Sequence, residues 1–242
     1  MNIAMVFAGG SGQRMNSRSL PKQFLKVNGK PIIIHTLEVF ENCKAIDAIV
    51  ISCIANYIDW LKDALLRFQI TKVKAVVAGG ATGQESIRNG LEAAGRLFDA
   101  NSVVLIHDGV RPLIDEKTIL KNIESVHKYG SAVTVTPASE TVGIIDQGEI
   151  SRIVKRQSVV ICRAPQSFFL GEVLAAHKKA ISDGLSDVTD TASLMRIYGK
   201  QLATVEGPVD NIKITTQRDF YTLKSLFDLR EYQQLSEREN DE

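Results

Sequence analysis

Short apolar runs alternate along the chain with longer stretches in which apolar positions recur every three or four residues. The runs at 3–7 (IAMVF), 48–53 (AIVISC), 73–77 (VKAVV), 103–106 (VVLI), 131–136 (SAVTVT) and 202–205 (LATV) predict strands. The stretches near 31–41, 57–68, 85–97, 115–128, 169–182, 189–198 and 216–228 predict helices. Near-continuous valine and isoleucine suits strands covered on both faces, and helical spacers are the crossovers that parallel strands need. The pattern therefore predicts an α/β fold: a Rossmann-like, open, mostly parallel sheet with helices on both faces. Ligands of such sheets bind beyond the carboxyl ends of the strands. Loops 8–14, 78–86 and 107–112 are so placed.

Two segments break the alternation. Residues 138–162 read as two extended stretches around Asp146-Gln147-Gly148, a hairpin signal. An isolated pair of strands is marginal in water, so this protruding β-hairpin is expected to act as an arm that pairs with a second subunit. Residues 229–242 (LREYQQLSERENDE) are polar and are expected to fray. The layout expected is one domain over 1–228, with 138–162 as a dimerisation arm and 229–242 as a C-terminal tail.

Composition narrows the field. The 242 residues carry a formal net charge of +1, which offers neither nucleic acid nor an anionic membrane an excess of positive charge. Three widely spaced cysteines, Cys43, Cys53 and Cys162, fit reduced thiols better than a disulfide framework, and without a CxxC or Cys/His cluster no zinc site is expected. No run approaches the roughly 18 apolar residues of a membrane span. The apolar N-terminus runs straight into glycines and reads as a strand, not a signal peptide, so a cytoplasmic protein is expected.

The first strand ends in Ala8-Gly9-Gly10-Ser11-Gly12-Gln13-Arg14-Met15. Three glycines in four positions allow a tight turn whose N–H groups can approach an anion. A P-loop would end in Gly-Lys-Ser/Thr, but this one continues Gly-Gln-Arg. The dinucleotide fingerprint fits Gly10 and Gly12 and then fails at Met15. Arg14 and Lys22, the latter in Pro21-Lys22-Gln23-Phe24, add two cations beside the turn, as a triphosphate requires. An aspartate just past a buried strand, as Asp108 is, can either cap a following helix or hold Mg²⁺ together with substrate phosphates. On an extended strand end His107 points away from Asp108, which suits a structural role.

Beyond these turns the chain carries GG…S-x-x-x-GL at 79–91, HDGVRP at 107–112, TPASET at 136–141, APQSF at 164–168, TD-x-AS at 189–193 and EGPVDNIKITT at 206–216. Together with GG-x-G-x-RM…PKQF, in this order over about residues 3–227, they resemble the 2-C-methyl-D-erythritol 4-phosphate cytidylyltransferases and their ribitol 5-phosphate cytidylyltransferase relatives. The resemblance implies a nucleotidyltransferase fold that transfers CMP from CTP to a polyol phosphate, giving a CDP-alditol and pyrophosphate, with Mg²⁺ as cofactor and a homodimer as the working unit. It implies Arg14, Lys22 and Lys213 as catalytic residues. Ala8, Gly9, Gly10, Gly12, Gly80, Ser86 and Asp108 would hold the nucleotide, Asp108 also the metal, with Asp210 a weaker second candidate. Arg111, Thr141, Arg156, Thr189 and Lys213 would hold the acceptor, Thr141 and Arg156 reaching it from the partner's arm. Judged without the resemblance, Lys213 and Arg156 read as solvated surface charges.

The chain departs from the family pattern at Gly83, where the family commonly has arginine, at Glu140, where it has aspartate, and at Arg163-Ala164, where it has Gln-Thr. The first touches selectivity for CTP and the last the choice of polyol, since discrimination rests on polar groups that are paired or left unpaired. Features of SRSLPKQF and of Val110 lean towards the ribitol branch, and TDTASL and VDNIKITT towards the methylerythritol branch. Glycerol or arabinitol phosphate as acceptor, with a role in surface polysaccharide, is an alternative. So is a sugar-1-phosphate nucleotidyltransferase, which shares the glycine turn but lacks the HDGVRP…NIKITT set. A binding module without catalysis would be favoured by loss of Lys22, Asp108 or Lys213, and all three are present.

Overall fold

The computed structural model describes residues 1–10, 20–186 and 188–240. Strand β1 (Asn2–Ala8) pairs in parallel with β4 (Ala48–Cys53) on one side and β6 (Val103–Asp108) on the other, and β5 (Val73–Ala78) extends the sheet beyond β4. Every residue of β4 and β6 is buried, as their unbroken apolar runs predict for strands covered on both faces. Next to β6 comes β10 (Val160–Phe169), then β7 (Ser131–Pro137) and β11 (Thr204–Glu206) at the edge. Strand β10 runs antiparallel to both its neighbours, while β11 is parallel to β7, so the seven-stranded sheet is mostly parallel with one reversed strand.

Alternation along β1 divides the core. Ala4 and Val6 face a layer made by α1 (Ile32–Asn42), α2 (Ile58–Arg67) and α4 (Glu116–Tyr129), filled by Leu37, Phe40, Leu61 and Ile119. Ile3 and Met5 face α3 (Gly83–Leu97), α5 (Leu170–Ser182) and α6 (Thr191–Ile197), filled by Leu91, Phe168 and Val173. Each such side chain contributes about 1.5–3 kcal/mol when fully buried.

Capping chemistry sets the helix starts. Thr82 accepts from Glu85 N at 3.1 Å and Glu85 reaches back to Ala81 N at 2.7 Å, a reciprocal cap that starts α3 at Gly83, two residues before the periodicity does. Asp115, not Asp108, caps α4 by accepting from Thr118 N at 2.7 Å. That leaves the carboxylate of Asp108 available for other work.

Strands β2 (Lys26–Val27) and β3 (Lys30–Pro31) form a small ladder after the PKQF segment. The predicted hairpin is present as β8 (Val142–Asp146) and β9 (Glu149–Val154), turned through Gln147 at φ 48° and Gly148 at φ 88°. The arm is shorter than the 138–162 expected, because 160–162 pair with β7 in the main sheet. The C-terminal stretch also differs from expectation: α7 (Gln217–Asn240) continues through the polar residues after 228. Its sequence holds no glycine or proline and is rich in good helix formers, which outweighs its polarity. Among the described residues no helix is long and apolar enough to cross a membrane.

Candidate active site

Beyond the carboxyl end of β1, the turn at Gly9 lies backbone to backbone against the turn at Gly79. A Cβ on Gly9 would meet Ser86 Oγ at 2.3 Å, and one on Gly79 would meet it at 2.8 Å. Both positions therefore need glycine for close approach. Ser86 is buried and fixes the second turn, accepting from Gly80 N at 3.0 Å and donating to Thr82 O at 2.9 Å. Gln23, also buried, donates from Nε2 to Ala8 O at 2.6 Å and to Gly10 O at 3.3 Å. This bond ties the short 3₁₀ turn Lys22–Phe24 to the glycine turn and sets half-buried Lys22 beside it. Ala8, Gly9, Gly10, Lys22, Gly80 and Ser86 are thus brought together. Gly12 and Arg14 lie outside the described residues.

Adjoining these turns is a cleft of about 280 Å³. Asp108 at the end of β6 forms part of its wall, with Lys213 Nζ 2.5 Å from Oδ1 and Arg111 Nε 2.7 Å from Oδ2. Burial alone would raise the carboxyl's pKa, but the charges of Lys213 and Arg111 outweigh it and hold the pKa at about 2. Arg111 is fixed in turn by donating from Nη1 to Asn211 O at 2.8 Å. The neighbouring His107 points to the opposite face, as expected. It is fully buried, donates from Nε2 to Arg111 O at 3.1 Å and packs edge-on against Phe40. Burial pushes its pKa down to about 4, so it is a neutral structural side chain.

The cleft also contains Thr189, Gly83 and the Arg163-Ala164 pair that departs from the family pattern, together with Cys162, Gln166, Asp190 and Thr191, for which the sequence predicts no binding role. The reversed direction of β10 explains most of them. An antiparallel strand brings its N-terminal half, here Cys162 to Gln166, to the end of the sheet where the parallel strands finish. Gln166 then bridges to α6, donating to Asp190 Oδ2 at 2.9 Å and accepting from Ala192 N at 2.8 Å. The motifs APQSF and TD-x-AS were the available signals, but local spacing does not reveal that they meet. Asp210 is exposed and outside this cleft. Thr141 and Arg156 lie at the root of the arm, both exposed, Arg156 donating from Nη1 to Ser139 O at 3.1 Å, and neither belongs to the cleft of their own chain.

Among the described residues no three His, Cys, Asp or Glu side chains converge as a metal cage. A lone ionised carboxylate does fit Mg²⁺, which binds through one or two carboxylates together with substrate phosphates and waters. The side chain of Lys213, the partner of Asp108 Oδ1, is 39% exposed.

The chain is similar to known proteins over most of its length. The family model for 2-C-methyl-D-erythritol 4-phosphate cytidylyltransferase matches residues 2–228. A ribitol-5-phosphate cytidylyltransferase of Streptococcus agalactiae serotype V is 53% identical over 236 residues, 97% of this chain and 98% of that protein. A 2-C-methyl-D-erythritol 4-phosphate cytidylyltransferase of Syntrophus aciditrophicus is 37% identical over 219 residues, 90% of this chain and 92% of that one. Among solved structures, 4-diphosphocytidyl-2C-methyl-D-erythritol synthase from Anaerococcus prevotii superposes with a TM-score of 0.81 at 29% identity, covering 94% of this chain and 96% of its own.

Proposed function

The chain belongs to the 2-C-methyl-D-erythritol 4-phosphate cytidylyltransferase family, and we propose that it transfers CMP from CTP to ribitol 5-phosphate, giving CDP-ribitol and pyrophosphate. The observation that carries this reading is Asp108, held ionised between Lys213 and Arg111 beside two interlocked glycine turns. Ribitol 5-phosphate is favoured over methylerythritol phosphate by the higher identity to a ribitol-5-phosphate cytidylyltransferase, 53% against 37%.

An oxygen of the acceptor's phosphate attacks the α-phosphorus of CTP, and the bond from that phosphorus to the bridging oxygen breaks. Pyrophosphate leaves with the electron pair. The nucleophile needs no general base, because a phosphate monoester with a second pKa near 6 is largely dianionic at pH 7. The barrier is repulsion between anions, so the work falls to positioning and to cations. The backbone at Gly9 and Gly10 and the side chains of Arg14 and Lys22 hold the triphosphate on the side of the leaving group. Lys213 and Arg111 bring positive charge to the acceptor and the α-phosphate. The turn at Gly80 and Ser86 seats the base. Mg²⁺, held by Asp108 and the triphosphate, would neutralise charge that builds on the departing pyrophosphate.

The working unit in this reading is a homodimer of one nucleotidyltransferase domain per chain. The arm of each copy carries Thr141 and Arg156 to the acceptor side of the other copy's cleft. The outward isoleucines of the arm support this: Ile145 is 71% and Ile150 66% exposed.

Pyrophosphate release with CTP, Mg²⁺ and a panel of polyol phosphates tests the proposal, with the product identified by mass spectrometry. Preferred turnover of ribitol 5-phosphate is expected. Preference for methylerythritol 4-phosphate or glycerol 3-phosphate would overturn the acceptor, and no release with any of them would overturn the reaction.

A further inference from the structure

The cations of the cleft are not all matched by carboxylates. Asp108 engages both Arg111 and Lys213. Asp190 is occupied as the cap of α6, accepting from Ser193 N at 2.8 Å, and by Gln166. That leaves Arg163, on β10 two residues before Pro165, with no ion-pair partner among the described residues. Its Nε donates to Thr136 Oγ1 at 3.1 Å and its Nη1 to Asn211 O at 3.2 Å. The second contact converges on the carbonyl that Arg111 Nη1 also holds, so two guanidinium groups meet on one neutral oxygen. Partial burial and the charge of Arg111 both disfavour the cationic form of Arg163. A half-buried guanidinium beside a second one costs free energy unless an anion joins them.

Position decides which anion. Strand β10 flanks β6 on the side away from β1 and β5, so Asp108 at the end of β6 stands between Arg163 and the glycine turns. Arg163 is also shared between the cleft and a second groove, of about 340 Å³, at the root of the arm beside Thr136 and Ser139. This is the end of the site opposite the nucleotide turns.

We infer that Arg163 is a substrate-binding residue which, with Arg111, forks onto the phosphate monoester of the acceptor. The inference rests on the polyol phosphate reading above. Guanidinium groups suit the task because their planar donors match two phosphate oxygens at once, leaving a third to face the α-phosphate of CTP.

Steady-state kinetics of Arg163→Gln and Arg163→Lys test it. Arg163→Gln should raise KM for the polyol phosphate about 10- to 100-fold, the worth of a charge-assisted hydrogen bond, with KM for CTP within about twofold. Arg163→Lys, which keeps the charge without the fork, should fall between the two. An unchanged acceptor KM, or a rise confined to CTP, would overturn the inference, as would a lower melting temperature with unaltered kinetics. Calorimetry keeps the two readings apart, with ribitol 5-phosphate titrated into protein holding a non-hydrolysable CTP analogue. Wild-type failure to turn over ribitol 5-phosphate strikes the acceptor assignment. Equal binding of that phosphate by wild type and Arg163→Gln strikes the role of Arg163.

Discussion

Gly9, on the turn after β1, and Ser86, in the first turn of α3, lie so close that a Cβ on Gly9 would stand 2.3 Å from Ser86 Oγ and 2.9 Å from its Cβ. The space between the two turns is therefore set by the absence of a side chain at Gly9. Gly9→Ala must push the turns apart, and overpacking of this kind costs about 1–3 kcal/mol. The expected outcome is a rise in KM for CTP of about 10-fold or more with acceptor KM little changed. Ser86→Gly in the same chain removes both clashing atoms and should recover part of the lost stability, but not the affinity for CTP, because the hydroxyl that holds Gly80 N goes with them. Titration of CTP by calorimetry checks both.

Asp108→Asn removes the only carboxylate that pairs with Arg111 and Lys213 among the described residues. Two cations then face each other across a neutral amide, and breaking a buried pair in this way costs about 3–5 kcal/mol, less here because Lys213 is partly exposed. The sign of the pH effect follows from the lowered pKa of about 2 against an ordinary carboxylate near 4. A group depressed on folding contributes stability above its unfolded pKa and loses it as pH falls towards the folded one. Urea unfolding of the wild type should weaken from pH 4 to pH 2, and Asp108→Asn should flatten that limb. Turnover of the variant should fall by at least about 100-fold.

Lys22 stands on the 3₁₀ turn that Gln23 clamps to Ala8, so a buried amide ties the backbone that carries it to the glycine turn. Lys22→Ala should keep the melting temperature within a few degrees and lower kcat by about 100- to 1000-fold, the scale for loss of one preorganised group at a developing charge. Gln23→Leu should act differently. It leaves Ala8 O without its donor and releases the turn, raising KM for CTP as well as lowering kcat. A pre-steady-state burst measurement separates the two effects.

Much of the sheet could be read from the chain because its signals are local. Buried parallel strands write themselves as runs such as AIVISC and VVLI, and the glycines after β1 announce the close backbone approach found at Gly9. Strand β10 escaped because Arg163 and Pro165 interrupt its apolar run, and only pairing with β6 and β7 makes it a strand. With it went the binding role of Arg163, whose meaning depends on Arg111, 52 positions away, and on Asn211. The convergence of Asp108 with Lys213 was reached through resemblance to a family, since nothing local marks Lys213. Past 228 helix α7 has no apolar periodicity to mark it, and only helix propensity carries it on to Asn240.

His177 and His107 are both buried with pKa values lowered to about 4, in each case by burial first. His177 is 2% exposed, its Nε2 has no hydrogen-bond partner among the described residues, and Arg88 further opposes its charge. Below the ordinary histidine pKa of 6.5 the unfolded chain takes up these protons and the folded one does not. Stability is thus fully present above about pH 6.5 and declines as pH falls towards 4. His177→Leu should reduce that decline while leaving turnover at pH 7.5 near normal. A slope unchanged between pH 6.5 and 4.5 in urea unfolding would refute the assignment of His177.

Ile145 and Ile150 pair across the arm, and a Cβ on Gly143 would touch Ile150 and Ile153, so these side chains share one apolar face. Ile153 is 58% exposed, and a two-stranded ribbon with such a face is marginal alone. Ile145→Glu with Ile150→Glu removes nothing from the core, so the monomer should stay folded. Light scattering should then show one chain where the wild type shows two, and activity should collapse with dimerisation because Thr141 and Arg156 no longer reach a second cleft. Mixing provides the sharper test. Asp108→Asn disables the cleft and Arg156→Ala the arm, so either homodimer has two defective sites. In a randomly exchanged equal mixture half the dimers are mixed, and one of their two sites joins an intact cleft to an intact arm. About a quarter of wild-type activity should return from two inactive proteins. Were the arm to serve its own chain's cleft instead, both sites of the mixed dimer would stay defective and nothing would return.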